Sequence, residues 1–239
     1  MKYKVSDKTR IILEHILYVA EKSSKTVQFC FTKGEQQYYI TPKRDLLVSF
    51  KLDTPIKFDY PIANLKTFLS KAADLDSDKI KTNKDTLYLA SKNDIREFTG
   101  KRVVQNVKFK LKDLETNHSL SKYKYLNIIG DSKNCVLRYQ NHIWNWWFDD
   151  KDKKILPLGK SSRKFRYIIE RSKLRLLPNN YQLILREDII QFQLKHLNYY
   201  FAPEVYWTKQ SVKDWVSSDR LVKDKDLIKR YKTVGLMTN

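Results

Sequence analysis

DKTRIILEHILYVAE (residues 7–21), with Val27, Phe29, Phe31, Tyr38, Ile40, Leu46, Val48, Phe50 and Leu52 following it, decides the reading of the fold. In the first string Ile12, Leu13, Ile16 and Ala20 fall on one stripe of a helix, and Lys8, His15, Tyr18 and Lys22 lie roughly opposite. Ser6 stands where a hydroxyl accepts one of the orphan N–H groups at a helix start. After Val27 the apolar period drops from 3.6 to two, the mark of strands with one buried face. A second helix is expected over residues 62–72, opened by Pro61, with Leu65, Phe68, Leu69 and Ala72 on one side and Lys66 and Lys71 flanking the other. Strands are expected again at 79–82, 86–91 and 95–99.

TGKRVVQN (residues 99–106) reads as a linker, and then the order restarts. A polar, weakly helical stretch covers 111–121, and strands are expected at 124–129, 134–139, 142–148 and 163–170. RSKLRLL (171–177) reads as a short basic helix, Pro178-Asn-Asn as a turn, and 181–186, 189–194 and 197–202 as three closing strands. Helix, strands, helix, three strands thus occurs twice, in repeats of about 100 residues that share order and length rather than residue identity. The expected division is 1–103, 104–206 and a basic extension 207–239, in an α+β fold. In the extension Val212, Trp215 and Val216, and again Leu227, Ile228 and Tyr231, recur at helical spacing, so it reads as an amphipathic helix.

The chain has 239 residues, 47 Lys+Arg and 27 Asp+Glu, a formal charge of +20. Hydrophobic residues make up 41%, too many for a disordered chain. The excess charge is spread over the three segments as +7, +9 and +4. Lys and Arg scattered over a folded body suit a polyanion, bound by counterion release. The five glycines (Gly34, Gly100, Gly130, Gly159, Gly235) never cluster, which excludes a P-loop, a dinucleotide-binding turn and a Gly-x-Ser-x-Gly elbow. Two cysteines, Cys30 and Cys135, make no disulfide framework and fit a reducing compartment. The N-terminal residues carry no secretory pattern, and the longest apolar run, Ile16–Ala20, is far below the ~20 residues of a membrane span. The expectation is a cytosolic protein without a membrane partner.

Other constellations are weaker. Trp144, Trp146 and Phe148 share a strand face and read as sheet core, whereas Trp147 points the other way and suits base stacking. DDKDKKILPLGKSS (149–162) reads as a charged loop, and its Asp149, Asp150 and Asp152 lack a distant acid to complete a nuclease site. His15, His118, His142 and His196 stand without a Cys or His at zinc spacing. No catalytic residue, metal or cofactor is assigned, and no enzyme is expected.

Four strings resemble the DNA sliding clamps of T-even-type bacteriophages, relatives of PCNA. Lys4-Val-Ser-Asp-Lys-Thr with Ile12-Leu13 and Ile16 is similar to their first helix, and Asp59-Tyr-Pro-Ile-Ala-Asn-Leu-Lys-Thr-Phe-Leu to their second. Leu176-Leu-Pro-Asn-Asn-Tyr-Gln-Leu-Ile-Leu resembles their late helix-to-strand turn, and Leu197-Asn-Tyr-Tyr-Phe-Ala-Pro-Glu their closing strand. The likeness covers residues 3–206. It implies two similar clamp domains per protomer, antiparallel sheets outside and helices on the inner face, closed into a homotrimeric ring around double-stranded DNA. It implies DNA polymerase and a clamp loader as partners, a role in replication and in late transcription, and the cytoplasm of the infected host cell as location.

On that arrangement Lys8 and Lys22, Lys66 and Lys71, Lys112, Lys122 and Lys124, and Arg171, Lys173 and Arg175 fall around the four helices as DNA-facing residues that touch phosphates and read no bases. Two features depart from the family: the charge is not confined to a channel, and residues 207–239 extend past the closing strand. They keep a second reading open, a clamp-fold nucleic-acid-binding protein that forms no ring and serves transcription or packaging.

Overall fold

The structure, a computed structural model, describes residues 2–21, 26–71, 74–76, 90–110, 123–141 and 155–208. The described residues divide into two compact units, those of 1–102 with 191–202, and those of 103–190 with 203–208.

In the first unit β1 (Lys2–Lys4) leads into α1 (Asp7–Ala20), where the Ser6 hydroxyl accepts the Thr9 N–H at 3.3 Å as the sequence suggests. The helix buries Thr9, Ile12, Leu13, Ile16 and Ala20, the stripe read from the spacing. In β2 (Phe29–Phe31) all three residues are buried, so Cys30 is covered as well as the Phe29 and Phe31 face. The strand pairs with β5 (Tyr60–Ile62), and β1 pairs with β6 (Asp74–Asp76). β3 (Gly34–Ile40), β4 (Leu46–Ile56) and β14 (Leu197–Phe201) are antiparallel neighbours, with Tyr39, Val48 and Tyr199 in one row across them. Phe29 meets Phe31 edge-on at 4.9 Å and stacks on Phe50 at 6.1 Å. The Tyr199 hydroxyl lies 3.1 Å from His15 Nδ1 and ties α1 to the sheet.

Two expectations change here. The second helix, α2 (Leu65–Ser70), is shorter than 62–72: Asn64 Oδ1 accepts the Thr67 N–H at 3.0 Å and starts the helix, while Pro61 sits in β5 opposite Cys30. The strand expected at 95–99 is a helix, α3 (Lys92–Thr99). Its start is a capping box: Asp94 N–H donates to Ser91 Oγ at 3.1 Å, and Ser91 N–H donates back to Asp94 Oδ2 at 2.9 Å. Ile95 and Phe98 stand three apart, which is helical spacing, and alternation at 95, 97 and 99 puts Glu97 and Thr99 beside a lone Ile95.

In the second unit β7 (Val103–Lys110) occupies much of the expected linker. Val107 and Phe109 are buried and Asn106, Lys108 and Lys110 exposed, a two-residue period that continues in its partner β12 (Asn180–Arg186). Five antiparallel strands form the other sheet in the order β10 (Ile155–Lys160), β9 (Asn134–Gln140), β8 (Tyr125–Asp131), β11 (Lys164–Glu170), β15 (Val205–Thr208). β10 replaces part of the charged loop expected at 149–162; Pro157 is tolerated because the strand lies on an edge, next to a bulge at Gly159, whose φ of +126° suits glycine. Gly130 is required by packing, since a Cβ there would stand 2.5 Å from the Phe165 ring. The basic helix expected at 171–177 is a single 3-10 turn, Arg171–Lys173; the residue before Pro178 is kept out of the helical region. β13 (Ile189–Gln193) follows β12 after a two-residue turn and carries the chain across the boundary between the units.

Asn127, Arg138, Gln140 and Arg166 are buried polar residues of the five-stranded sheet. Arg166 Nε donates to Asn127 Oδ1 at 3.1 Å, and Asn127 Nδ2 donates to Gln140 Oε1 at 2.8 Å. Burial, and then the neighbouring Arg138 charge, lower the Arg166 pKa to about 10.

The expected helix 111–121, the strands 79–82 and 142–148, Trp144, Trp146 and Trp147, Asp149, Asp150 and Asp152, and the expected tail helix lie outside the described residues, as does the strand expected at 86–91 except for its last two residues, which are not strand and include the α3 cap Ser91. Among the described residues no helix is long and apolar enough to cross a membrane.

Candidate nucleic-acid interface

Of the ten cations read as DNA-facing, seven are described; Lys22, Lys112 and Lys122 lie outside the described residues. In the first unit α1 and α2 pack together, and the Arg10 guanidinium donates to the Leu69 carbonyl at 3.3 Å. Lys8 is exposed on the first turn of α1, but its Nζ lies 2.9 Å from Asp53 Oδ1 on β4. The Lys8 hydrogen bond comes first, and the Ser6 hydroxyl also contributes, in holding the Asp53 carboxyl below its usual range. Lys66 Nζ is 3.8 Å from Glu21 Oε1 and largely exposed. Lys71 is exposed just past α2.

This face is therefore mixed in sign. Arg10 pairs with Glu14 at 3.1 Å, so α1 carries carboxylates among its cations. The acids that meet these cations are not evident from the basic residues alone. Glu14 is visible at helical spacing from Arg10, whereas Asp53 reaches Lys8 only through the course of β4, 45 residues away.

In the second unit the structure brings Lys124, Arg171, Lys173 and Arg175 to one corner. The Arg171 N–H donates to the Lys124 carbonyl at 2.9 Å, and Arg175 Nε donates to the Ser172 carbonyl at 3.2 Å. Lys124 Nζ lies 5.2 Å from the centre of the Tyr125 ring, and hydrogen bonding to Tyr125 raises the ammonium pKa. Lys173 pairs with Glu204. Lys124 is exposed, and Arg171, Lys173 and Arg175 are half-buried. Such a corner, four cations against Glu170 and Glu204, suits phosphates.

A further set of cations escaped the sequence reading. Lys133 in the β8–β9 turn and Lys160, Arg163 and Lys164 at the β10–β11 turn are all exposed and converge on one end of the five-stranded sheet. About thirty residues separate the two turns, and only strand register brings them together.

No family model matches the chain, and no curated protein matches it in sequence. Solved structures do. The Helicobacter pylori beta clamp bound to a DNA ligase peptide superposes with a TM-score of 0.54 at 14% identity, covering 89% of this chain and 69% of that one. A PCNA2–PCNA3 complex from Sulfolobus tokodaii gives a TM-score of 0.49 at 11% identity, covering 85% of this chain and 99% of that one. The beta-clamp likeness shows the fold: the chain is built on the sheet-rich α+β fold of the sliding clamps, the class its sequence suggested.

Proposed function

We propose that the protein is a sliding clamp, a non-catalytic ring that encircles duplex DNA and tethers replication proteins to it. The observation that carries the reading is the clamp fold extending over nine-tenths of the chain, together with a net charge of +20. On this reading three protomers close the ring, and Lys66, Lys71, Lys124, Arg171, Lys173 and Arg175, with Lys8, Lys22, Lys112 and Lys122, face the phosphates. The finer assignment to a T-even-type bacteriophage, with a polymerase and clamp loader as partners in the host cytoplasm, rests on the four sequence strings.

The ion pairs Lys8–Asp53 and Lys66–Glu21 favour a second reading, a clamp-fold nucleic-acid-binding protein that forms no ring and serves transcription or packaging. One experiment separates them: retention on circular against linear duplex DNA, run with light scattering. A ring has three times the protomer mass of 28.6 kDa, stays on closed circles at high salt and slips from free ends. A monomer that binds both alike, with steep salt dependence, overturns the ring.

A further inference from the structure

The two basic turns of the second unit form a rigid platform. Asp131 Oδ1 accepts the N–H groups of Lys133 at 2.8 Å and Asn134 at 2.6 Å, and Ser132 sits at φ +78°. In the other turn the buried Ser161 accepts the Arg163 N–H at 3.2 Å and donates to the Arg163 carbonyl at 2.9 Å. The turns are locked to each other: Ser132 N–H donates to the Arg163 carbonyl at 3.3 Å, and Ser161 N–H to the Lys133 carbonyl at 3.1 Å. Gln105 Nε2 adds a bond to the Lys160 carbonyl at 3.3 Å.

Four exposed cations, Lys133, Lys160, Arg163 and Lys164, thus stand on a fixed backbone. Asp131, the acid of these turns, stands across the strands from Lys164, and its Oδ1 is engaged by the backbone N–H groups of Lys133 and Asn134. The corner of Lys124 and Arg171 lies at the opposite end of the paired strands β8 and β11, about 20 Å away at the usual rise per residue.

We propose that these turns are a second contact for the sugar–phosphate backbone of a nucleic acid, separate from the Lys124–Arg171 corner of the same unit and independent of ring formation. Fixed cations replace condensed counterions on a phosphate backbone, and Ser132, Asn134 and Ser162 add exposed neutral donors among them. The large apolar residues exposed among the described residues, Ile11, Tyr18, Val103 and Ile155, all lie outside the two turns. The platform therefore lacks the apolar side chains that let a protein enter a lipid surface, and suits a hydrated polyanion.

The test is binding of the full chain to a short linear duplex as salt is varied. Replacing Lys133, Lys160, Arg163 and Lys164 together by Gln should lower the slope of log K against log salt by about 3–4, at about 0.9 per phosphate contact. Changing the three lysines to Arg should leave the slope as it is. The partial variants Lys133→Gln and Arg163→Gln/Lys164→Gln should lower it by about 1 and about 2, which keeps the test open if the fourfold variant folds poorly. An unchanged slope overturns the proposal, whether or not the variant loses binding to phosphatidylserine vesicles or to polyglutamate. Retention on closed circles is a separate readout: its absence in the unaltered protein removes the ring and leaves the result for the turns standing.

Discussion

Lys66→Gln combined with Lys71→Gln tests whether α2 faces the nucleic acid and how many copies do so at once. Both lysines are exposed, and neutralisation removes charge without adding repulsion. The Lys66–Glu21 pair spans 3.8 Å with the lysine side chain 77% exposed, so its loss costs at most about 1 kcal/mol and the fold should be intact. Each cation on a phosphate contributes about 0.9 to the slope of log K against log salt. Two lysines on one bound protomer make a fall of about 2; the same pair in three protomers around one duplex makes about 5. Binding to a circular duplex at several salt concentrations reads the slope, and light scattering of the same samples gives the mass. A trimer with a fall near 5 agrees with the ring, and a monomer with a fall near 2 agrees with the second reading. An unchanged slope in either refutes the placement of α2 against phosphates. Arg175 is a poorer probe, because it is half-buried and bonded to the Ser172 carbonyl, and its loss would mix folding with binding.

Three predictions concern the scaffold. Asn127→Leu removes an acceptor from the buried Arg166 and a donor to Gln140, and should destabilise the second unit by about 3 kcal/mol in urea unfolding; a change below about 1 kcal/mol would show that the network is already satisfied without it. Asp94→Ala removes the capping box of α3 and the partner of Arg44, 3.2 Å away, and should cost about 2 kcal/mol at neutral pH. Hydrogen bonds from Ser91 hold the Asp94 carboxyl below its usual range, so this stability is present above the unfolded pKa and fades as pH falls through the lower folded one; an equal cost at pH 7 and pH 2 would contradict that. Burial raises the thiol of Cys30 to about 11 and that of Cys135 to about 12. Both should resist alkylation at pH 8 in the folded protein, and stability should decline as pH rises above 9, where the unfolded thiols ionise first; rapid labelling without unfolding would refute their burial.

The sequence made the regular parts of the fold legible. The α1 stripe and the alternation of β12 follow from spacing, because each element buries one face and periodicity records that face, whereas β13 and β14 are buried on both faces and stand out as short apolar runs. The parts it concealed depend on partners far along the chain. β10 carries Pro157 and Gly159 and hardly alternates, and it is a strand because β9 offers an edge. Residues 95–99 read as a strand until the Ser91–Asp94 capping box is taken into account. The candidate site was legible as a set of basic residues and illegible as a surface. Which lysines meet carboxylates, and which turns converge, is set by register that no local pattern encodes.

The return of residues 191–202 to the first unit has a consequence for synthesis. Phe201 lies opposite Leu46 and Leu197 opposite Phe50, so β4 finds one of its two neighbours about 150 residues later. A ribosome that has released residues 1–102 has made most of that unit but left the β4 edge, with Leu46, Leu47, Val48 and Phe50, open to any other chain. The first unit is therefore completed only after nearly all of the described chain has emerged. A fragment ending at residue 102 should be sticky rather than stable, although it contains both helices of the first candidate face.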